Sequence, residues 1–127
     1  KGEAVQVVST GPAVVVEEVV EEEQIFQVVE EMPSFPGGDA ECMRFLNKNI
    51  KYPTIAQENG IQGRVILQFV VNKDGSIVDV VVARSVDPYL DKEAVRVVNM
   101  MPKWKPGKQH GKPVRVKFTL PVTFRLQ

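Results

Sequence analysis

The chain of 127 residues holds one cysteine, Cys42, and one histidine, His110. A lone cysteine excludes an internal disulfide and a cysteine-built metal cluster. A lone histidine in a Gly/Lys loop has no spaced partner for a metal site and none for activating Cys42 as a nucleophile, so Cys42 reads as a small apolar helix residue. Aromatic content is only 7%. No apolar run approaches the roughly 18 residues that a membrane span requires; Ala13-Val14-Val15-Val16 stops at Glu17. No signal-peptide pattern, Gly-Xaa-Ser-Xaa-Gly elbow, phosphate loop or dinucleotide fingerprint occurs. The acids of the later chain are scattered, with Asp74 suited to a turn and Asp87 to a helix cap. Nothing here assembles a catalytic constellation, and no cofactor is implied. Because the sequence opens on Lys1, the expectation is a piece of a longer protein whose anchor or targeting segment lies upstream.

What is abundant is β-branched sequence around one turn. Residues 64–71 and 76–85 are two such runs flanking Asn72-Lys73-Asp74-Gly75. This predicts a β-hairpin whose turn uses a left-handed glycine. Period-two spacing puts Val65, Leu67, Phe69 and Val71 on one face. In the second run it sets Val78, Val80 and Val82 opposite Ile77, Asp79, Val81 and Ala83. A face so apolar must be buried, and the flanking segments supply helices to cover it.

Net charge is zero, but it divides unevenly. Residues 1–35 hold eight acids and one base, a formal charge of −7; residues 36–127 carry +7. An acidic leader thus precedes a basic domain, which suits an acidic partner or transient shielding by the leader. Residues 1–35 read as a Val/Glu-rich linker, partly disordered, with at most local strand character. Residues 24–30 could form a short strand with Phe26 and Val28 on one side. Met32-Pro33-Ser34-Phe35-Pro36-Gly37-Gly38 punctuates the opening of a domain over 36–127.

Within it, residues 39–48 read as a helix with Cys42, Phe45, Leu46 and Ile50 on one stripe and acids at its positive end. Tyr52-Pro53 ends it, Pro53 opens a short helix over 54–59, and Gly60 stops that. Asp87-Pro88 starts a third helix, with Leu90, Ala94, Val97, Val98 and Met101 inward and Asp91, Lys92, Glu93 and Arg96 toward water. Trp104 pins a loop over 104–108. From residue 113 the chain is extended, and Pro121 requires an edge or bulge because it has no N–H for a central ladder. The fold class is therefore α+β: a small two-layer domain, a three-stranded antiparallel sheet with two main helices on one face.

Lys103, Lys105, Lys108, Lys112, Arg115 and Lys117 form an acid-free basic stretch. Only Trp104 and Phe118 interleave it, so it offers no stacking platform, and nucleic acid is not implied; edge lysines that deter aggregation account for it. The last strand is long and sits at an edge. It either completes the sheet or offers main-chain groups to an extended peptide by strand addition. The same edge could pair with a second copy of the chain.

Several landmarks occur in order: Tyr52-Pro53; Gly63-Arg64-Val65; Asp74-Gly75; Leu90-Asp91-Xaa-Glu93-Ala94; Trp104-Xaa-Pro106-Gly107; and Pro121-Val122-Xaa-Phe124. Together with Phe35-Pro36-Gly37-Gly38, they make residues 36–127 resemble the TonB C-terminal domain family. That resemblance implies a non-enzymatic energy transducer, anchored in the inner membrane by one upstream helix and bound there to the ExbB–ExbD motor. Residues 1–35 would then be the end of its periplasmic linker. The C-terminal domain would grip the TonB-box peptide of an outer-membrane transporter by strand addition, and force would open the transporter. The implied pairing residues are Val114, Arg115, Val116, Lys117, Phe118 and Thr119. Tyr52, Pro53, Gly75, Trp104, Pro106 and Gly107 would be structural. Proline at Val116 or Phe118 should weaken peptide binding unless those N–H groups already pair within the sheet. A TolA-type envelope linker resembles the chain less well, because the Tyr-Pro and Trp-Xaa-Pro-Gly landmarks favour TonB. A TonB-like module of a membrane-anchored sensor peptidase is the other reading, which upstream sequence with several spans and a His-Glu-Xaa-Xaa-His motif would distinguish.

Overall fold

The computed structural model describes residues 6–10, 13–17 and 24–126, with side chains from 24 onward. Residues 1–5, 11–12 and 18–23 of the leader lie outside the described residues. The described part shows local strand character: β1 (Gln6–Thr10) pairs antiparallel with β2 (Ala13–Glu17).

The 64–85 hairpin forms as β4 (Gly63–Val71) and β5 (Ile77–Arg84). Asp74 shapes its turn by accepting from the Ser76 N–H (2.9 Å) and hydroxyl (2.7 Å). Gly75 adopts φ +90°, and a Cβ there would lie 2.0 Å from the Trp104 carbonyl oxygen. Only glycine lets these two backbones meet, and the Trp104 N–H donates to the Gly75 carbonyl at 2.8 Å. Val65, Leu67, Phe69 and Val71 are buried as one face, as their spacing predicts. The β5 alternation departs from expectation. Gln68 pairs with Val81 and Val70 with Val78, so β5 spends an extra residue there, and Asp79 takes φ 56°. That bulge turns Ile77 and Val80 toward the core; Val82, on the same face opposite Leu67, is 36% exposed at the sheet edge.

Helices α1 (Asp39–Asn49), α2 (Thr54–Glu58) and α3 (Pro88–Asn99) match the predicted segments. Asp87 caps α3 by accepting from the N–H groups of Tyr89 and Leu90. Cys42 and Leu46 of α1, and Leu90, Ala94, Val97 and Val98 of α3, join the sheet's inner face in one core. Glu93 departs from expectation: it is buried. Its carboxylate accepts two bonds from Arg96 (2.7 and 2.8 Å) and one from the Lys51 N–H (2.7 Å). Arg96 also donates to the Asn49 carbonyl at 3.0 Å. The pair therefore ties α3 to the end of α1, which helical spacing cannot foresee.

The last strand, β7 (Lys112–Phe124), pairs antiparallel with β4 over nine residues, giving the expected antiparallel trio β7-β4-β5. Two strands add to it. β3 (Ile25–Phe26) lies parallel to β7 on the side away from β4, and β6 (Gly107–Gln109) pairs with its first residues. β6 joins β7 through His110-Gly111, both at positive φ, the two-residue hairpin geometry. The body also begins before residue 36. Val29 and Phe35 are buried, while Glu31 and Ser34 exchange backbone hydrogen bonds with Lys108 and Lys105. In the expected 24–30 strand only two residues pair, and Val28 is 79% exposed. Among the described residues no helix is long and apolar enough to cross a membrane.

Candidate functional site

β7 is the strand with two different edges, and its prolines reveal which main-chain groups point where. In an antiparallel ladder, opposed residues alternate between exchanging N–H···O=C bonds and directing those groups away from each other. Pro121 stands opposite Ile66 and has no N–H, so its backbone nitrogen faces away from β4. The unbroken register carries this along the strand. Val116, Phe118, Leu120, Val122 and Phe124 turn their main-chain groups to β4; Lys117, Thr119, Pro121 and Thr123 turn theirs outward. The start of β7 has the same parity. Lys108, opposite Pro113, exchanges its own backbone bonds with Glu31 instead (2.8 and 3.1 Å).

This sorts the six residues expected to form a pairing edge. Val114 is paired to Gly107 in β6. Arg115 stands beside Ile25 in β3, and its side chain donates to Asn72 Oδ1 at 2.9 Å. Val116 is buried between Val71 and Phe26. Phe118 is committed to β4 and rings Trp104 at 5.0 Å. Lys117 gives its outward N–H to Phe26 of β3, because Val116 between them keeps its own groups for β4; the Lys117 carbonyl and both outward groups of Thr119 are not covered by a strand among the described residues. The same open stretch continues to the Pro121 carbonyl and to Thr123, which residue spacing alone had not included. The signal that could have found them was Pro121 itself, used as a phase marker.

Beside this edge a shallow groove of about 260 Å³ is lined by Ile25, Phe69, Val70, Val81, Asp79 and Lys117 among others. Val70 is buried although it lies on the outer face. The other free edge, along β5, is bent by two register shifts, a device that discourages strand pairing. The β7 edge has none.

The landmark residues sit in the scaffold. The Tyr52 hydroxyl donates to the Ile61 carbonyl, and its ring meets Phe124 edge-on at 5.6 Å. Pro53 precedes α2. Trp104 is buried among Phe35, Phe69 and Phe118, with its indole N–H without a partner among the described residues. Pro106 leads into Gly107, where a Cβ would meet Val116 at 2.7 Å and the Glu31 carbonyl at 3.0 Å. Burial, and then the charge of Asp39, push the Cys42 thiol up to about 11, so it is an inert packing group. His110 is an exposed turn residue 3.7 Å from Glu30. Among the described residues no three His, Cys, Asp or Glu side chains gather as a metal site would need.

These features define a class: a small α+β domain with a helix-covered inner sheet face and one regular, open strand edge. Residues 48–126 match the family described as Gram-negative bacterial TonB protein C-terminal, and the chain belongs to that family. Two solution structures of the Helicobacter pylori TonB C-terminal domain share the fold. One is 24% identical with a TM-score of 0.53, covering 69% of this chain and 92% of the other. The second is 25% identical with a TM-score of 0.54, covering 72% and 87%. No curated protein matches the chain. The Phe35-Pro36-Gly37-Gly38 lead-in and most of α1 fall outside the family match.

Proposed function

We propose that this domain is the periplasmic end of a TonB-type energy transducer and grips the TonB-box peptide of an outer-membrane transporter by strand addition. Upstream, residues 1–35 close a linker from an inner-membrane anchor bound to an ExbB–ExbD motor, and the work delivered drives active uptake. The observation that carries this reading is the outward row of main-chain groups from the Lys117 carbonyl to Thr123, unpaired among the described residues on an edge without bulges. A grip through backbone groups tolerates many guest sequences. Each bond nets only about 0.5–1.5 kcal/mol, but several loaded together in shear resist a pull, so one domain can serve many transporters.

Titrating a transporter-box peptide into the isotope-labelled chain tests it. Amide shifts should concentrate at Lys117, Thr119 and Thr123. Shifts confined to other surfaces, such as the groove around Tyr52 and Tyr89, would refute the assignment.

A further inference from the structure

The outer edge of β7 is bounded. Pro113 and Pro121 share the outward parity, so outward donors run without a gap only through Arg115, Lys117 and Thr119. The first two of these three are already taken. β3 lies against them in parallel register, Ile25 opposite Arg115 and Phe26 opposite Val116, which takes up the Arg115 and Lys117 N–H groups. The Ile25 side chain helps line the outer groove with Val70, Val81 and Lys117, and the next residue, Phe26, is half-buried.

We propose that Ile25-Phe26 is a self-ligand of this slot: the chain's own segment occupies the first two rungs, and a guest strand must displace it to use the whole run. The inference rests on the strand-addition reading and specifies the guest. It is an extended segment with two adjacent bulky apolar residues, one directed to the groove over Val70 and Val81, the next to the opposite face beside Val116.

Three observations support displacement. With β3 in place a guest has one outward donor before Pro121, that of Thr119; with β3 gone it has three, those of Arg115, Lys117 and Thr119. β3 and a guest at the same rung exclude each other, because only one strand fits beside Arg115. Release also leaves the body intact. Gln27 and Val28 are exposed, whereas the anchoring contacts come later, with Val29 and Phe35 buried and Glu31 and Ser34 bonded to Lys108 and Lys105. The segment before Gln27 can therefore swing away as a flap.

The test compares the full chain with its I25D/F26D variant, using as probe a synthetic peptide copying residues 22–28. The expected result is about tenfold tighter binding to the variant, the gain when a site that is one-tenth free becomes fully free. Without peptide, exchange of the Arg115 amide should quicken in the variant while Phe118 and Leu120 stay protected. F26P, which removes the β3 donor but keeps no charge near the groove, should act in the same direction and guards against a folding defect in the double variant. Equal affinity for all three proteins, at the edge, would overturn the self-ligand while leaving strand addition standing. Binding to none of them would overturn both.

Discussion

At Gly75 the backbone of the hairpin turn touches that of Trp104, and no side chain fits between them. A Gly75→Ala substitution places a methyl where a carbonyl oxygen already lies, at a positive φ. It should destabilise the domain by about 3 kcal/mol, measured as a shift of the urea midpoint with unchanged slope. Glu93 makes a second residue-scale case. Burial alone would raise its pKa, but the bonds from Arg96 and the Lys51 N–H, with the charges of both, outweigh it and hold the carboxyl below its ordinary range. A depressed folded-state value means that the unfolded chain binds the proton more readily. The stabilisation is therefore present above the ordinary carboxylate pKa and is lost as pH falls through the folded value. Glu93→Gln should cost about 1–2 kcal/mol at neutral pH, toward the lower end of buried-pair effects because the Arg96 head is 42% exposed. The gap between variant and wild type in denaturation should close on acidification below about pH 4.

Elements were legible in the sequence in proportion to how strongly they repeat. α1, α3 and the β4–β5 hairpin carry apolar stripes or alternation with turn and cap residues at their ends, and each forms where its pattern lies. β6 is three residues, Gly-Lys-Gln, with no apolar period, and it exists because tertiary neighbours on both sides pair with it. β3 is shorter still, and the 31–34 segment pairs through backbone alone. The bulges of β5 were equally hidden, since nothing in Val78-Asp79-Val80 announces an extra residue. In the candidate edge the strand is readable from its alternation, but apolar spacing does not give the phase of its main-chain groups, so six consecutive residues stand out where only alternate ones face outward. Proline substitutions separate these two faces. Thr119→Pro removes an outward N–H and should weaken a bound guest roughly tenfold with little change in stability, about the value of one hydrogen bond. Phe118→Pro breaks the β4 ladder and should lower stability by about 3 kcal/mol; calorimetry alongside peptide titration distinguishes them.

Across the molecule, the acidic leader and the basic body meet at the segment that the sequence had assigned to the linker. Residues 24–35 carry no strong pattern, yet they lie on the sheet and under the core. Composition signals the change of charge, but only the fold shows that the chain becomes part of the body before that change is complete. The helices and the inner face of the sheet were foreseeable as a whole because one core must cover one apolar face.

The ties from Glu31 and Ser34 to Lys108 and Lys105 have a mechanical corollary. Under the proposed function, and with β3 displaced, tension drawn in along the upstream chain would enter at those four backbone bonds, cross β6, and arrive on β7 without passing through a helix. The proposed rope and hook would then share one seam of main chain, with α1, α2 and α3 as the frame that keeps it straight.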